Sequence, residues 1–209
     1  MKSKVNIPAV FLLALACVLA AVPASAGVLY DNTGPGSLTT NAWSFYNGGG
    51  GGSSVTDSFT VASGLDHVTG IDFDVWVNPG DSLNSYTWSI SSSAFGAPIA
   101  SGNVAGGPNT QVATAYGYYS ILQESVSIPD LDLTAGTYWL ELSNGSDAYD
   151  TAVWWDESDG ASAAFSSDAG AIASETFQID GTVPEPSSVL LLAPAMLALA
   201  GLTRKKLLA

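Results

Sequence analysis

Ile71-Asp72-Phe73-Asp74-Val75-Trp76-Val77 alternates without a break. At a period of two, Ile71, Phe73, Val75 and Val77 share one face of an extended segment, while Asp72, Asp74 and Trp76 share the other. A helix over the same residues would scatter the apolar groups around its axis, so the stretch reads as a half-buried strand. Tyr86-Thr87-Trp88-Ser89-Ile90, Thr137-Tyr138-Trp139-Leu140-Glu141-Leu142 and Glu175-Thr176-Phe177-Gln178-Ile179 repeat the pattern. Between them stand turn signals: Asn78-Pro79-Gly80-Asp81, Gly106-Gly107-Pro108-Asn109, Ala135-Gly136, Asn144-Gly145 and Asp159-Gly160. Short alternating strands separated by such residues predict an all-β fold, an antiparallel β-sandwich of jelly-roll type with roughly nine or ten strands in two sheets.

Outward from these strands the composition changes abruptly. All five basic residues, Lys2, Lys4, Arg204, Lys205 and Lys206, lie near the ends of the chain. Every one of the 19 carboxylates except Glu185 lies between Gly27 and Thr182, so that stretch carries −18 with His67 neutral. Such a surface repels nucleic acid, phosphate ligands and anionic membranes; its natural counterparts are cations, neutral glycans and basic proteins. Cys17 is the only cysteine. The stretch from Gly27 therefore has neither disulfides nor thiolate ligands, and apolar burial must stabilise it.

The candidate chemistry is thin. A nucleophilic triad would have to use His67, the only histidine, whose neighbour Asp66 points to the opposite face of a strand. One histidine without a cysteine does not make a zinc site. Asp72 with Asp74, Asp130 with Asp132, Asp147 with Asp150, and Asp156-Glu157 with Asp159 are paired carboxylates of the kind used on glycosidic bonds, but so acidic a stretch produces pairs by composition alone. No catalytic residue, cofactor or metal ligand is assigned. Asn144-Gly145-Ser146-Asp147 and Asp156-Glu157-Ser158-Asp159-Gly160 offer oxygens suited to calcium, without the spacing of a helix-loop-helix calcium loop. Gly48 to Gly52 reads as a surface loop, since no lysine and no helix follow to cradle a phosphate. Trp154 and Trp155 are adjacent, so in a strand one faces in and the other out. With Trp76 they are candidate glycan contacts, and packing in the core or at its rim is the competing role.

The ends read as processing segments. Lys2 and Lys4, the apolar Ala9 to Val22, and Ala24-Ser25-Ala26 have the order of a secretory signal, predicting a signal helix in residues 1–26, cleavage between Ala26 and Gly27, and use of the Sec export machinery. In the segment 183–209 a second apolar run, Val189 to Leu202, is interrupted by Pro194 and closed by Arg204-Lys205-Lys206. As a helix, Ser187 to Leu202 would span about 24 Å, short of the roughly 30 Å hydrocarbon core, so a transient stay in the inner membrane is expected rather than a permanent anchor. An acidic domain over 27–182 is thus flanked by two hydrophobic helices.

Val183-Pro184-Glu185-Pro186, a short apolar helix and a basic stop, in that order, resemble the PEP-CTERM sorting signal of exopolysaccharide-producing Gram-negative bacteria. The resemblance implies that exosortase, a membrane enzyme, reads Pro184, Glu185 and Pro186, cuts nearby, and releases the protein toward the cell surface or extracellular matrix. More loosely, Ser58-Phe59-Thr60-Val61, Trp88-Ser89-Ile90, Ala135-Gly136-Thr137-Tyr138-Trp139-Leu140 and Ser174-Glu175-Thr176-Phe177 resemble β-rich passenger domains of the choice-of-anchor type. The expectation is a non-enzymatic, structural or adhesive protein of an exopolysaccharide biofilm. The alternative is a carbohydrate-binding module using exposed Trp76, Trp154 and Trp155, with calcium as a candidate stabiliser.

Overall fold

The computed structural model describes residues 26–33, 40–48, 52–106 and 110–182, except the side chains of residues 26, 63–66 and 130. These belong to one compact unit. The predicted signal helix, the hydrophobic helix of 183–209 and the glycines at 49–51 lie outside the described residues. Among the described residues there are eleven strands, and no helix is long and apolar enough to cross a membrane.

The strands are β1 (Ala26–Asn32), β2 (Ala42–Ser44), β3 (Ser54–Val77), β4 (Leu83–Ser91), β5 (Pro98–Ala105), β6 (Thr110–Ala115), β7 (Tyr119–Asp147), β8 (Trp154–Asp156), β9 (Ala164–Ser166), β10 (Gly170–Ile172) and β11 (Phe177–Thr182). Two of them organise the rest. β3 and β7, 24 and 29 residues long, pair antiparallel from Ser54↔Ser143 to Val77↔Ser120. Their ladder shifts register between Val61 and Leu65 and again between Val68 and Gly70, which divides the ribbon into two halves. Around the first half, β9 pairs with β3, and β4 followed by β5 extends from β7. Around the second, β11 and β1 extend from β3, β8 pairs with its end, and β6 pairs with β7.

All of these strands belong to one hydrogen-bonded sheet, not to the two separate sheets that the alternation suggests. The difference arises at Ala135-Gly136 and Asn144-Gly145, which read as turns but lie inside β7. Asn144 adopts φ 54°, and beside it β7 uses three steps, Ser146 to Ser143, where β4 uses two, Ser85 to Thr87. A single left-handed residue in such a place makes a bulge that bends the strand instead of reversing it. By contrast, Asn78-Pro79-Gly80-Asp81 is a true turn, with Gly80 at φ 75° and the Asp81 amide donating to the Asn78 carbonyl at 3.0 Å.

The curled sheet closes on itself around an aromatic core. Phe59 of the first half meets Phe177 of the second at 6.5 Å, and Phe73 of the second meets Tyr86 of the first edge-on at 5.2 Å. Ile71, Phe73, Val75 and Val77 are fully buried, as their alternation requires. Their strand is not half-buried, however: Asp74 on the opposite face is fully buried and Trp76 is 4% exposed. A second, smaller cluster of Trp76, Ala115 and Ile121, backed by Tyr119 and Trp154, covers that face.

Candidate functional site

The covered face ends in an aromatic group at the tip of the β6–β7 hairpin. Trp76 and Trp154 are cross-strand partners on β3 and β8, which places their side chains on one face. Tyr119 packs between them, at 5.7 Å from Trp76 and 5.5 Å from Trp154. The hairpin turns at Tyr116 and Gly117, with φ of 52° and 64°, and the Tyr118 amide donates to the Ala115 carbonyl at 2.9 Å. Positive φ at both central residues is the type I′ turn that favours Asn and Gly. Tyrosine there is a strained choice, and strain of this kind gathers at functional positions. Tyr116 is held by a hydrogen bond from its hydroxyl to the Thr40 carbonyl and by an edge contact with Trp76 at 5.8 Å. The residue nevertheless remains 69% exposed, and Tyr118 57%.

The three tryptophans therefore divide. Trp155 is fully buried among Phe73 and Phe177, with its indole N–H donating to the Thr176 carbonyl at 2.8 Å, so no sugar ring can reach it. Trp76 is also buried and donates its indole N–H to Asp156 Oδ1 at 2.6 Å; it props the face rather than forming it. Trp154 alone of the three is partly exposed. The accessible rings are tyrosines that the sequence reading passed over. Tyr116-Gly117-Tyr118-Tyr119 carries the signal that would have found them, a tight turn made of aromatics where polar residues are usual.

A second feature is an open groove of roughly 400 Å³ across β1, β3, β7 and β11, lined by Thr69, Asp72, Ser125, Ser127 and Asp180 around Gly70. Burial, then the charge and hydrogen bonding of Asp72, raise the Asp180 carboxyl above its usual range. Asp72 thus works with Asp180 on the neighbouring strand, not with Asp74. The other paired acids separate as well: Asp147 lies with Asp81 around Thr151, Asp150 accepts from the Tyr46 hydroxyl at 2.6 Å, and Glu157 accepts from Asn41 at 2.6 Å. His67 sits opposite Asp132 in the β3–β7 ladder, with its Nδ1 against the Asp132 carboxyl.

The third feature lies inside the fold. Asp57 is fully buried on the apolar face of β3, between Val55 and Phe59. Its Oδ2 accepts from the Glu175 amide at 2.7 Å, the Ser174 hydroxyl at 3.2 Å and the Asn32 side chain at 3.3 Å, and its Oδ1 accepts from the Ser58 amide at 2.6 Å. Burial pushes its carboxyl up to about 6, against the lowering effect of those bonds. Glu175 is fully buried too; burial and then the charge of Asp57 hold its carboxyl well above the usual range. On the other side of the core Glu124, opposite Phe73, is pushed up to about 7 by burial. Among the described residues no three His, Cys, Asp or Glu side chains are placed to hold a metal by themselves.

Of the remaining sequence candidates, Val183 to Pro186 and Arg204 to Lys206 lie outside the described residues. Ala26 and Gly27 begin β1, opposite Thr182 and Gly181 of β11. Cleavage between them would leave the rest of that pairing in place. No protein-family model matches the chain, and no curated protein matches it.

Proposed function

We propose that the chain is an exported protein of the cell surface or extracellular matrix, sorted by a C-terminal signal that exosortase processes. Its domain, in which parts of one curled sheet face each other in the manner of a jelly-roll sandwich, would serve a structural or adhesive role in an exopolysaccharide matrix. The observation that carries this reading is the order Pro184-Glu185-Pro186, Val189 to Leu202 and Arg204-Lys205-Lys206, behind a domain without a single Lys or Arg. The short apolar run suits a temporary membrane stay, and the acidic domain suits neutral polysaccharide surroundings. Mass spectrometry of the protein secreted by its own host tests the proposal. The expected product starts at Gly27 and ends near Pro184–Pro186; an intact Ala209 in the secreted protein would overturn it.

A second reading is favoured by the tyrosine hairpin. Tyr116 and Tyr118, beside the partly exposed Trp154, offer aromatic faces of the kind that stack on sugar rings. In this reading the domain binds a neutral matrix glycan through those tyrosines, with Trp76 as their support. Affinity electrophoresis in gels containing the host exopolysaccharide tests it. Retardation that disappears in Tyr118→Ala supports it, and unretarded wild-type protein rejects it.

A further inference from the structure

Glu175 poses a problem that hydrogen bonding within the chain does not solve. Both of its carboxylate oxygens are buried and have no hydrogen-bond partner, and the side chain is fully buried. The charges it senses are all of its own sign, first Asp57, then Glu157 and Asp156. There is no Lys or Arg anywhere from Gly27 to Thr182 to offset them. Leaving a buried carboxyl in that condition is among the costliest arrangements an interior can hold.

The Glu175 backbone borders a cluster of oxygens, its amide donating to Asp57 and its carbonyl accepting from Asn32 and Ser158. Four oxygens converge on the side-chain nitrogen of Asn32: Ser174 Oγ at 2.5 Å, the Glu175 carbonyl at 2.6 Å, Asp57 Oδ2 at 3.3 Å and Ser158 Oγ at 3.4 Å. An amide NH2 has two hydrogens for these four acceptors, although Ser174 and Ser158 also donate, to Asp57 Oδ2 and the Glu175 carbonyl. The amide fills the point on which the oxygens converge, and a cation would take that point by displacing it. Gly160 closes the cage because a side chain there would run into the Asn32 amide. Carboxylate, hydroxyl and carbonyl oxygens in one enclosed place are the donor set of a hard cation.

We propose that Asp57 and Glu175, with the hydroxyls of Ser158 and Ser174 and the Glu175 carbonyl, form an interior site for one divalent cation of the calcium class. The charge arithmetic favours a divalent ion, since two carboxylates carry −2. Two protons would also neutralise the pair, but they would leave the Glu175 oxygens without partners. Neutral oxygens complete the set, which is why no trio of acidic side chains is needed. The strand alternation Val55-Asp57-Phe59 and Glu175-Phe177-Ile179 puts both acids on faces that otherwise point into the core. This proposal is independent of how the protein is sorted and of what the tyrosines touch.

The test is thermal unfolding of the full chain in mild detergent, at neutral pH, in EDTA and in excess calcium or magnesium. Terbium luminescence excited through tryptophan is read in parallel, because Trp155 bonds to Thr176, the neighbour of Glu175. The expected result for wild type is a calcium-dependent rise in Tm of roughly 5–10 °C at a hundredfold excess over Kd. Glu175→Gln removes the buried charge at constant shape, so it should fold in EDTA with Tm at or above wild type. It should show neither the calcium response nor the terbium signal. Ser158→Ala, which keeps both acids, should retain the response at weaker affinity, and the exposed Asp168→Asn should retain it in full. A wild-type Tm indifferent to calcium, or a full response in Glu175→Gln, would overturn the proposal.

Discussion

The two halves of β3 use the same alternation to different ends. In the second half, Ile71, Phe73, Val75 and Val77 point to the core while Asp72 and Asp74 point away from it. In the first half the inward series Val55, Asp57, Phe59, Val61 contains an acid. Alternation therefore assigns a face correctly in both halves but says nothing about depth. Asp74, on the outward face, is as fully buried as Asp57, because the β6–β7 hairpin and β8 cover it. Two acids reach the interior by different routes, one through the face it occupies and one through a second layer built over it.

The largest effects test whether the halves share one core. Phe59→Ala and Phe73→Ala each empty a fully buried site between facing parts of the sheet, and each should cost about 3–5 kcal/mol in urea unfolding. Similar losses with unchanged m-values would show a single cooperative unit; a small loss for one of them would separate the halves.

Next is the acid on the Phe73 side. Glu124 is buried, and its Oε1 and the hydroxyl of Tyr86 have no hydrogen-bond partners. Its carboxyl is pushed up to about 7, so the folded chain keeps this proton to higher pH than the unfolded chain, whose glutamates titrate near 4.3. Stability is therefore lost as pH rises through that interval, by at most about 4 kcal/mol at about 1.4 kcal/mol per unit, and by less where solvent screens the charge. Glu124→Gln should flatten this part of the stability profile and make the protein more stable than wild type at pH 8. Urea titrations at pH 5 and pH 8 check the sign; a wild type equally stable at both, once compared with the variant, would contradict it.

The second layer is probed by Trp76→Phe. The change keeps most of the ring while deleting the indole N–H that donates to buried Asp156 Oδ1 at 2.6 Å. A bond to a carboxylate of that kind contributes about 1.5–3 kcal/mol, and a loss of this size in denaturant melts is expected. A neutral result would mean that the layer is held by ring packing alone.

These cases also show what was legible in the residues. The all-β class followed from periodicity, because Ile71 to Val77 and Tyr86 to Ile90 carry a period that no helix shares. Strand number and sheet closure did not follow. Asn144 bends β7 from within, Gly136 lies in β7 where β3 shifts register, and a bulge and a turn draw on the same residue types. Asp57 and Glu175 were in plain view on apolar faces, but their meeting depends on β3 and the chain before β11 coming together across more than a hundred residues. The tryptophans were conspicuous by type, yet type does not distinguish a prop from a platform; Trp155 went to the core because Phe73 and Phe177 lie on its face.

The smallest expected change in stability is the most informative about the tyrosine face. Tyr116 occupies a left-handed position that costs a bulky residue about 1–2 kcal/mol relative to glycine, and asparagine tolerates it. Tyr116→Asn relieves that strain but loses the hydroxyl bond to Thr40 and the edge contact with Trp76. The two changes oppose each other, so the melting free energy should stay within about 1 kcal/mol of wild type. If the strain serves to present a ring to polysaccharide, the variant should be as stable as wild type yet run unretarded in exopolysaccharide gels. Unchanged retardation would show that Tyr116 is a turn residue and nothing more, leaving Tyr118 and Trp154 to carry any contact with sugar.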